Sequence, residues 1–405
     1  MAEATEIADV AIIGGGPAGM MAGLLFARAG LQTVVLEKHG DFLRDFRGDT
    51  VHPSTLDLID ELGLLDAFLA LPHDRVEDVG AVIGGRRYDI ADFRHLPGRR
   101  RFIAMMPQWH FLDFVAQEGR RYASFDLRMN AQGLALLTRD GRVGGVRTAA
   151  GEEISARLTI AADGRDSHMR QAAGLPLRDL GAPIDVFWFR VPKTPSPRNL
   201  TQGFIDGGEM VVTIDRGDYF QCARVIAKGS ADTIRARGLP AFRAAVAGVA
   251  PTVRDGIDAI GSWDDVKLLS VSLDRLTRWW RPGLLAIGDA AHAMSPVGGV
   301  GINLAIQDAV AAANILAEPL CRGADADPLL AKVQARRMLP VRIVQAMQRA
   351  AHRRVLGAAL AGRVERAPFA ARLLDRTPVL QRIPARIVGL GVRREHIRSP
   401  AADRP

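Results

Sequence analysis

Cysteine is nearly absent: Cys222 and Cys321 are the only two in 405 residues. Two cysteines cannot build a disulfide framework, and these two match no metal-ligand spacing. A reducing compartment is the simplest reading. Lysine is almost as scarce, with arginine making up nearly all of the 53 basic residues, a bias that looks genomic rather than chemical. Aromatic residues are only 6%, so aliphatic and alanine-rich packing must fill the core. No apolar run approaches the ~20 residues needed to span a bilayer. Met1–Asp9 is acidic where a secretory signal has a basic start, and the expected location is the cytoplasm. Acidic residues are missing from one region only. Residues 331–398 hold 16 basic and 3 acidic residues, a net +13, whereas residues 1–330 hold 36 and 41, a net −5. The overall charge of +8 therefore belongs to the C-terminal stretch. No nucleic-acid motif accompanies it, so nucleic acid is not an expected partner.

What is present is regularly punctuated. Residues 8–13 are a short β-branched run, a glycine-rich turn follows, and 18–29 are strong helix formers stopped by Gly30. Residues 33–36 complete a βαβ unit whose parallel strands need covered faces. Amphipathic spacing predicts helices over 54–63 and 109–121, short strands between 79 and 104, and a meander over 133–161. Three β-rich runs, 185–191, 209–214 and 219–227, predict an inserted sheet lobe. A strand at 284–287, a helix at 301–316, and basic helices after 328 complete the pattern, with breaks at Pro340, Pro368, Pro378 and Pro384. The expected fold is α/β, α+β in the lobe. A Rossmann-like domain spans 1–75, 100–175 and 275–330, a sheet domain 76–99 and 176–274, and a helical region 331–405.

The first chemical motif is Gly14-Gly15-Gly16-Pro17-Ala18-Gly19, a G-x-G-x-x-G between a strand and a helix. Gly14 permits the tight turn, Gly16 lets the backbone approach a pyrophosphate, and Gly19 lets helix and strand pack closely. The helix start around Ala18 offers free N–H groups to phosphate. Glu37, followed by Lys38, lies 18 residues past Gly19 at the end of the second strand, where a carboxylate accepts from ribose hydroxyls. Two later segments follow in order: Ala162-Asp163-Gly164-Arg165-Asp166-Ser167-His168-Met169-Arg170 and Gly288-Asp289-Ala290-Ala291-His292, the latter running into Pro296-Val297-Gly298-Gly299-Val300-Gly301-Ile302-Asn303. No second strand-linked G-x-G-x-x-G exists, which argues against a separate nicotinamide-nucleotide domain.

Together these motifs resemble the flavin-dependent aromatic hydroxylases of the para-hydroxybenzoate hydroxylase type, whose DG and GD motifs the second and third match. The resemblance implies FAD as cofactor, NADH or NADPH as transient electron donor and O2 as co-substrate. It implies hydroxylation of a small aromatic substrate, a phenol, through a flavin C4a-hydroperoxide. It places Asp289 with Gly288 at the ribityl or ribose, Asp163 near the pyrophosphate, and Pro296, Gly299, Gly301, Ile302 and Asn303 beside the ring. Arg47 falls where the family contacts the pyrophosphate, and Gln108 where it contacts the flavin. Asp49 and His52 are the candidates to orient or deprotonate a phenol, with Pro296 at the substrate edge. His292 reads as structural. The lobe should close over the ring with Trp188, Met210, Tyr219, Phe220 and Gln221. Alternation puts Tyr219 and Gln221 on one face and Phe220 and Cys222 on the other, without saying which face is inward. No thioredoxin-like C-terminal domain is expected. Rival readings are a halogenase or isoprenoid-type reductase on the same fold and a non-enzymatic flavin-binding protein. Trp279-Trp280 is not the spaced W-x-W-x-I-P of halogenases. The basic helices read as a solvated face or as a contact with an anionic membrane, and the assembly as monomer or homodimer.

Overall fold

The computed structural model describes residues 6–43, 50–98, 100–193, 201–353, 357 and 367–402. Two large sheets organise it. The first is built around the strand Glu6–Ile13, whose Val10, Ala11 and Ile12 are fully buried. Parallel strands run in the order Leu284–Ala286, Glu153–Ala161, Glu6–Ile13, Thr33–Leu36, Phe125–Arg128, with Trp280–Arg281 antiparallel at one edge. The expected meander is present as Gly133–Arg139 and Arg142–Thr148. It pairs with the start of Glu153–Ala161 on the side where that strand's end pairs with Leu284–Ala286.

Helices cover this sheet. Pro17–Arg28 is buried from Ala18 to Ala27 and packs on the helices Gln108–Gly119 and Gly301–Cys321. Gly301–Cys321 is five residues longer than expected. It is the one helix among the described residues long and apolar enough to cross a membrane. Most of it is buried between Pro17–Arg28 and a further helix, Asp327–Ala351, so it serves as a core helix.

The second sheet has seven strands in the order Lys267–Ser270, Ile184–Pro192, Tyr219–Ala227, Glu209–Asp215, Gln202–Asp206, Asp78–Ile83, Arg86–Asp92. The parallel pairing of 203–205 with 81–83 stitches the early hairpin to the later strands. One face carries Phe187, Phe189, Phe220 and Cys222 and is sealed by Phe242 and Val246 of the helix Leu239–Val249. The sequence reading missed that helix.

The C-terminal prolines correct the expectation of breaks. Pro340 lies inside Asp327–Ala351 and Pro384 inside Pro378–Gly389. Pro340 is buried, and the helix continues past the main-chain hydrogen bond that its ring removes. Pro378 instead opens its helix, where its fixed φ is an advantage, and Pro368 precedes the helix Phe369–Arg376.

Candidate active site

Four chain segments leave the parallel sheet at the carboxyl ends of its strands: Gly14 after Glu6–Ile13, Glu37 after Thr33–Leu36, Asp163 after Glu153–Ala161 and Gly288 after Leu284–Ala286. Open α/β sheets bind ligands at this edge. The strand ends are laced together, Gly14 N–H donating to the Leu36 carbonyl at 2.8 Å and Ala162 N–H to the Ile13 carbonyl at 2.8 Å.

The three motif glycines differ in what requires them. A Cβ on Gly14, whose φ is +108°, would lie 2.3 Å from the Ala162 carbonyl oxygen, and one on Gly19 1.9 Å from the Gly14 oxygen. Both are needed by the fold itself. A Cβ on Gly16 would meet no protein atom within 4 Å. Gly16 is the N-cap of Pro17–Arg28, which has no side-chain cap and no acid in its first turn. An uncapped helix start beside open space fits a diphosphate received by main-chain N–H groups. Ala18 is buried against the turn at Gly288 (φ +60°).

Glu37 is buried and uses both carboxylate oxygens locally, accepting from Gly15 N–H at 2.9 Å and His39 N–H at 3.1 Å, while Lys38 is exposed. Asp163 accepts from Ser167 Oγ and from Met169 N–H at 3.0 Å, so it shapes the start of the helix His168–Ala172. Asp289 is partly exposed, with the Arg165 guanidinium 3.7 Å away, which links the two later motifs.

Behind Asp289 lies a buried ionic cluster that sequence reasoning only touched. Asp308 accepts from His292 Nε2 at 2.6 Å, Arg337 Nε at 2.9 Å and Gly288 N–H at 3.2 Å. Burial acts to raise the Asp308 pKa, yet His292 and Arg337 outweigh it and hold the carboxyl below the usual carboxylate range. Arg337 also reaches Glu395, which Arg336 holds at 2.6 Å. His292 is thus structural, as expected.

Gly299 (φ +61°) and Gly301 open the long helix, which again lacks a side-chain cap and a first-turn acid. Asn303 spends both ends of its amide on protein. Its oxygen accepts from His52 N–H at 3.0 Å and Thr55 Oγ at 2.7 Å, and its nitrogen donates to the Thr50 and Gly299 carbonyls. It locks Thr50–His52 to the glycine loop, and Ile302 beside it is buried. Gln108 is buried as the first residue of Gln108–Gly119. Pro296 is partly exposed. Arg47 and Asp49 lie outside the described residues.

His52 is fully buried, and its Nδ1–H donates to the Val388 carbonyl at 2.7 Å. Burial pushes its pKa down to about 4 against that hydrogen bond. The imidazole is neutral at physiological pH and turned toward the C-terminal helix, an arrangement suited to holding backbone rather than moving a substrate proton.

In the lobe, directly paired residues settle which side chains share a face. Val186, Val225 and Met210 form one rank, Trp188, Ala223 and Val212 the next, and Arg190, Gln221 and Ile214 the third. Trp188, Met210, Val212 and, from beside Pro296, Val297 all pack against the cluster of Val186, Ala223 and Val225, so this face meets the glycine loop. Phe220 must be corrected: it lies on the opposite face, buried with Phe189 and Phe242 under the covering helix. Tyr219 keeps the inward parity at the strand's end, where Arg190 stacks over it at 5.3 Å.

A family profile described as an FAD binding domain matches residues 7–347. The chain belongs to this family. A relative from Streptomyces rimosus, 6-methylpretetramide 4-monooxygenase, is 32% identical across 94% of this chain and 91% of its own length. A ubiquinone hydroxylase from Rhodospirillum rubrum is 26% identical across 89% of this chain and 86% of its own. Among solved structures, PqsL of Pseudomonas aeruginosa in complex with 2-aminobenzoylacetate superposes with a TM-score of 0.77 at 21% identity, covering 89% of this chain and all of that one. This member of the FAD-binding family is an FAD-dependent aromatic monooxygenase, with nicotinamide nucleotide and O2 as the co-reactants typical of its class.

Proposed function

We propose that the substrate is a flat, fused-ring phenol bound between the lobe's inner face and the loop at Pro296. The observation that carries this is the three-rank face itself. Met210, Trp188, Val212 and Ala223 are apolar, Gln221 and Arg190 of the third rank add hydrogen-bonding groups at one end, and Val297 packs against the same apolar cluster. Such a surface suits a large planar ring with few polar substituents. The Streptomyces rimosus relative that matches 94% of this chain is named a 6-methylpretetramide 4-monooxygenase, which supports this reading.

In this reading 76–99 and 176–274 form the substrate domain, and 1–75, 100–175 and 275–330 the cofactor domain. Bound FAD supplies the hydride acceptance and oxygen activation. The chain's residues do the rest. Gly16 leaves room for the diphosphate on a turn that Gly14 and Gly19 make possible, Glu37 would orient the ribose end through the Gly15 loop, and Asp289 would face the ribityl chain. The uncapped start of Gly301–Cys321 would favour negative charge on a flavin bound there. Trp188 and Met210 exclude water from the reacting edge. Asp49 accepts the phenol proton, and His52 ties its own segment to the C-terminal helix through the Val388 carbonyl. The enzyme works in the cytoplasm, where reduced nicotinamide nucleotides are at hand.

Anaerobic mixing with NADH or NADPH tests this, following bleaching of the flavin absorbance with a panel of phenols of one to four fused rings. Acceleration that grows with ring number supports the proposal. Acceleration by single-ring phenols alone overturns the substrate class, and no bleaching under any condition overturns direct reduction by nicotinamide nucleotide.

A further inference from the structure

The helix Asp327–Ala351 was legible in sequence only as a basic, solvent-facing element. Its inner face is a polar stripe that grips the segment from Asp274 to Val297. Gln334 accepts from Trp279 N–H at 3.1 Å and donates to the Thr277 carbonyl at 2.8 Å. One turn on, Arg337 holds Asp308 and through it the Gly288 turn. Gln345 donates to the Asp274 carbonyl at 2.7 Å. Gln348 accepts from Ser295 N–H at 3.1 Å and donates to the Ser295 carbonyl at 2.8 Å and the Val297 carbonyl at 3.0 Å. His352, the C-cap, shares a 2.9 Å hydrogen bond with Ser295 Oγ. Positions 334, 337, 345, 348 and 352 recur at helical spacing, and the last four are at most 4% exposed.

Gln348 is the strongest of these grips, and the loop needs it. Residues 293–300 belong to no strand, and Pro296 has no N–H to offer. The amide of Gln348 takes the place of a neighbouring strand, pairing the main chain on both sides of Pro296. We propose that Gln348 is a positioning residue that sets the flavin-side loop Pro296–Gly299, and with it how completely the enzyme converts reduction into hydroxylation. In the coupled reaction, NAD(P)H, a proton, O2 and the aromatic substrate give NAD(P)+, water and the hydroxylated product. When the loop is loose and water enters, the same NAD(P)H, proton and O2 give NAD(P)+ and hydrogen peroxide. The proposal rests on the reading that 296–299 flanks the flavin.

The test compares FAD-loaded Gln348→Met with the parent, with the outward-facing Arg349→Ala as control and Pro296→Gly as a reference for the loop. Three quantities are read: amide hydrogen exchange over 293–300, the visible spectrum of bound flavin, and hydrogen peroxide formed per NADH oxidised. Gln348→Met should speed the exchange about tenfold or more, shift the flavin bands and raise the peroxide yield, while Arg349→Ala changes none of them. Gln348→Glu, which regains a donor only when protonated, should match Gln348→Met at pH 8 and move back toward the parent at pH 6; it also serves if Gln348→Met does not fold. If Pro296→Gly shifts the flavin bands but neither Gln348 variant alters exchange or spectrum, the positioning role is wrong and the flavin reading stands. If exchange speeds up in the Gln348 variants while the bands stay fixed in these and in Pro296→Gly, the flavin reading itself fails.

Discussion

The two sheets contribute to the site in opposite ways. At the parallel sheet the ligand edge is main chain: N–H groups at two uncapped helix starts and glycines whose missing Cβ matters. At the lobe the ligand face of the proposed reading would be side chains, three ranks of them on a regular antiparallel frame. Main-chain recognition tolerates almost no substitution and leaves short, recognisable motifs. Side-chain recognition leaves the frame intact while the surface changes, so it carries specificity and little signature.

The sharpest way to break this contrast is at the glycines. Gly19→Ala puts a Cβ 1.9 Å from the Gly14 oxygen and should yield protein that neither folds stably nor retains FAD. Gly16→Ala meets no protein atom, so the apoprotein should melt at the parent temperature yet bind FAD about a hundredfold or more weakly, as flavin titration would show. Equal losses of thermal stability in the two variants would erase the distinction. Next in size is the buried cluster behind the GD turn. Arg337→Met strands the Asp308 carboxylate and should cost about 3–5 kcal/mol in denaturant unfolding.

His52 carries a pH signature. Folded His52 has a pKa of about 4 against 6.5 in the unfolded chain. Below pH 6.5 the unfolded chain therefore binds a proton that the folded chain refuses. His52's share of stability is complete above that pH, declines as pH falls, and stops declining below about 4, a total of about 3 kcal/mol. His52→Gln should flatten this acid limb in unfolding measured from pH 7 to 4.

In the lobe, Trp188→Ala should leave FAD affinity unchanged and raise KM for a bleaching-competent phenol about tenfold, some 1–2 kcal/mol. A loss of FAD instead would place Trp188 with the cofactor. The smallest effect belongs to the C-terminal surface. Phe369, Leu373, Val379 and Ile383 are exposed beside Arg372, Arg376, Arg382 and Arg386, a mixture suited to an anionic bilayer, whereas two such basic faces would repel each other. Arg382→Gln should weaken co-sedimentation with phosphatidylserine vesicles by about 1 kcal/mol. No binding by the parent would leave that surface simply solvated.

The parallel sheet was readable because its punctuation is local: a strand, three glycines and a stop at Gly30 lie within two dozen residues. The lobe's strands were readable too, but not its inward face. That depended on the helix Leu239–Val249, whose Phe242 claims the Phe187, Phe189 and Phe220 side and leaves Trp188 on the opposite face. Gln345 and Gln348 were invisible for a related reason. In sequence a glutamine on an arginine-rich helix looks like surface, and only the fold shows that the stripe turns inward. Asn303 and His52 stand out in sequence as separate candidates for cofactor and substrate; their contact across 251 positions, and the hydrogen bond of the His52 imidazole to the Val388 carbonyl, could be seen only in the fold.

The helix Pro17–Arg28 has one more consequence, in the order of synthesis. Almost all of its side chains are buried, and the helix that covers much of it, Gly301–Cys321, is made roughly 270 residues later. At about 5–20 residues per second the ribosome needs some 15–55 s to deliver that cover. During this interval an apolar helix beside an unfinished sheet edge stands open on the nascent chain. The strand Leu284–Ala286 arrives just before its cover does. The domain that reads first in the sequence is therefore the one completed last, and a chaperone that shelters the N-terminal βαβ unit should raise the yield of this enzyme more than one that acts on the released chain.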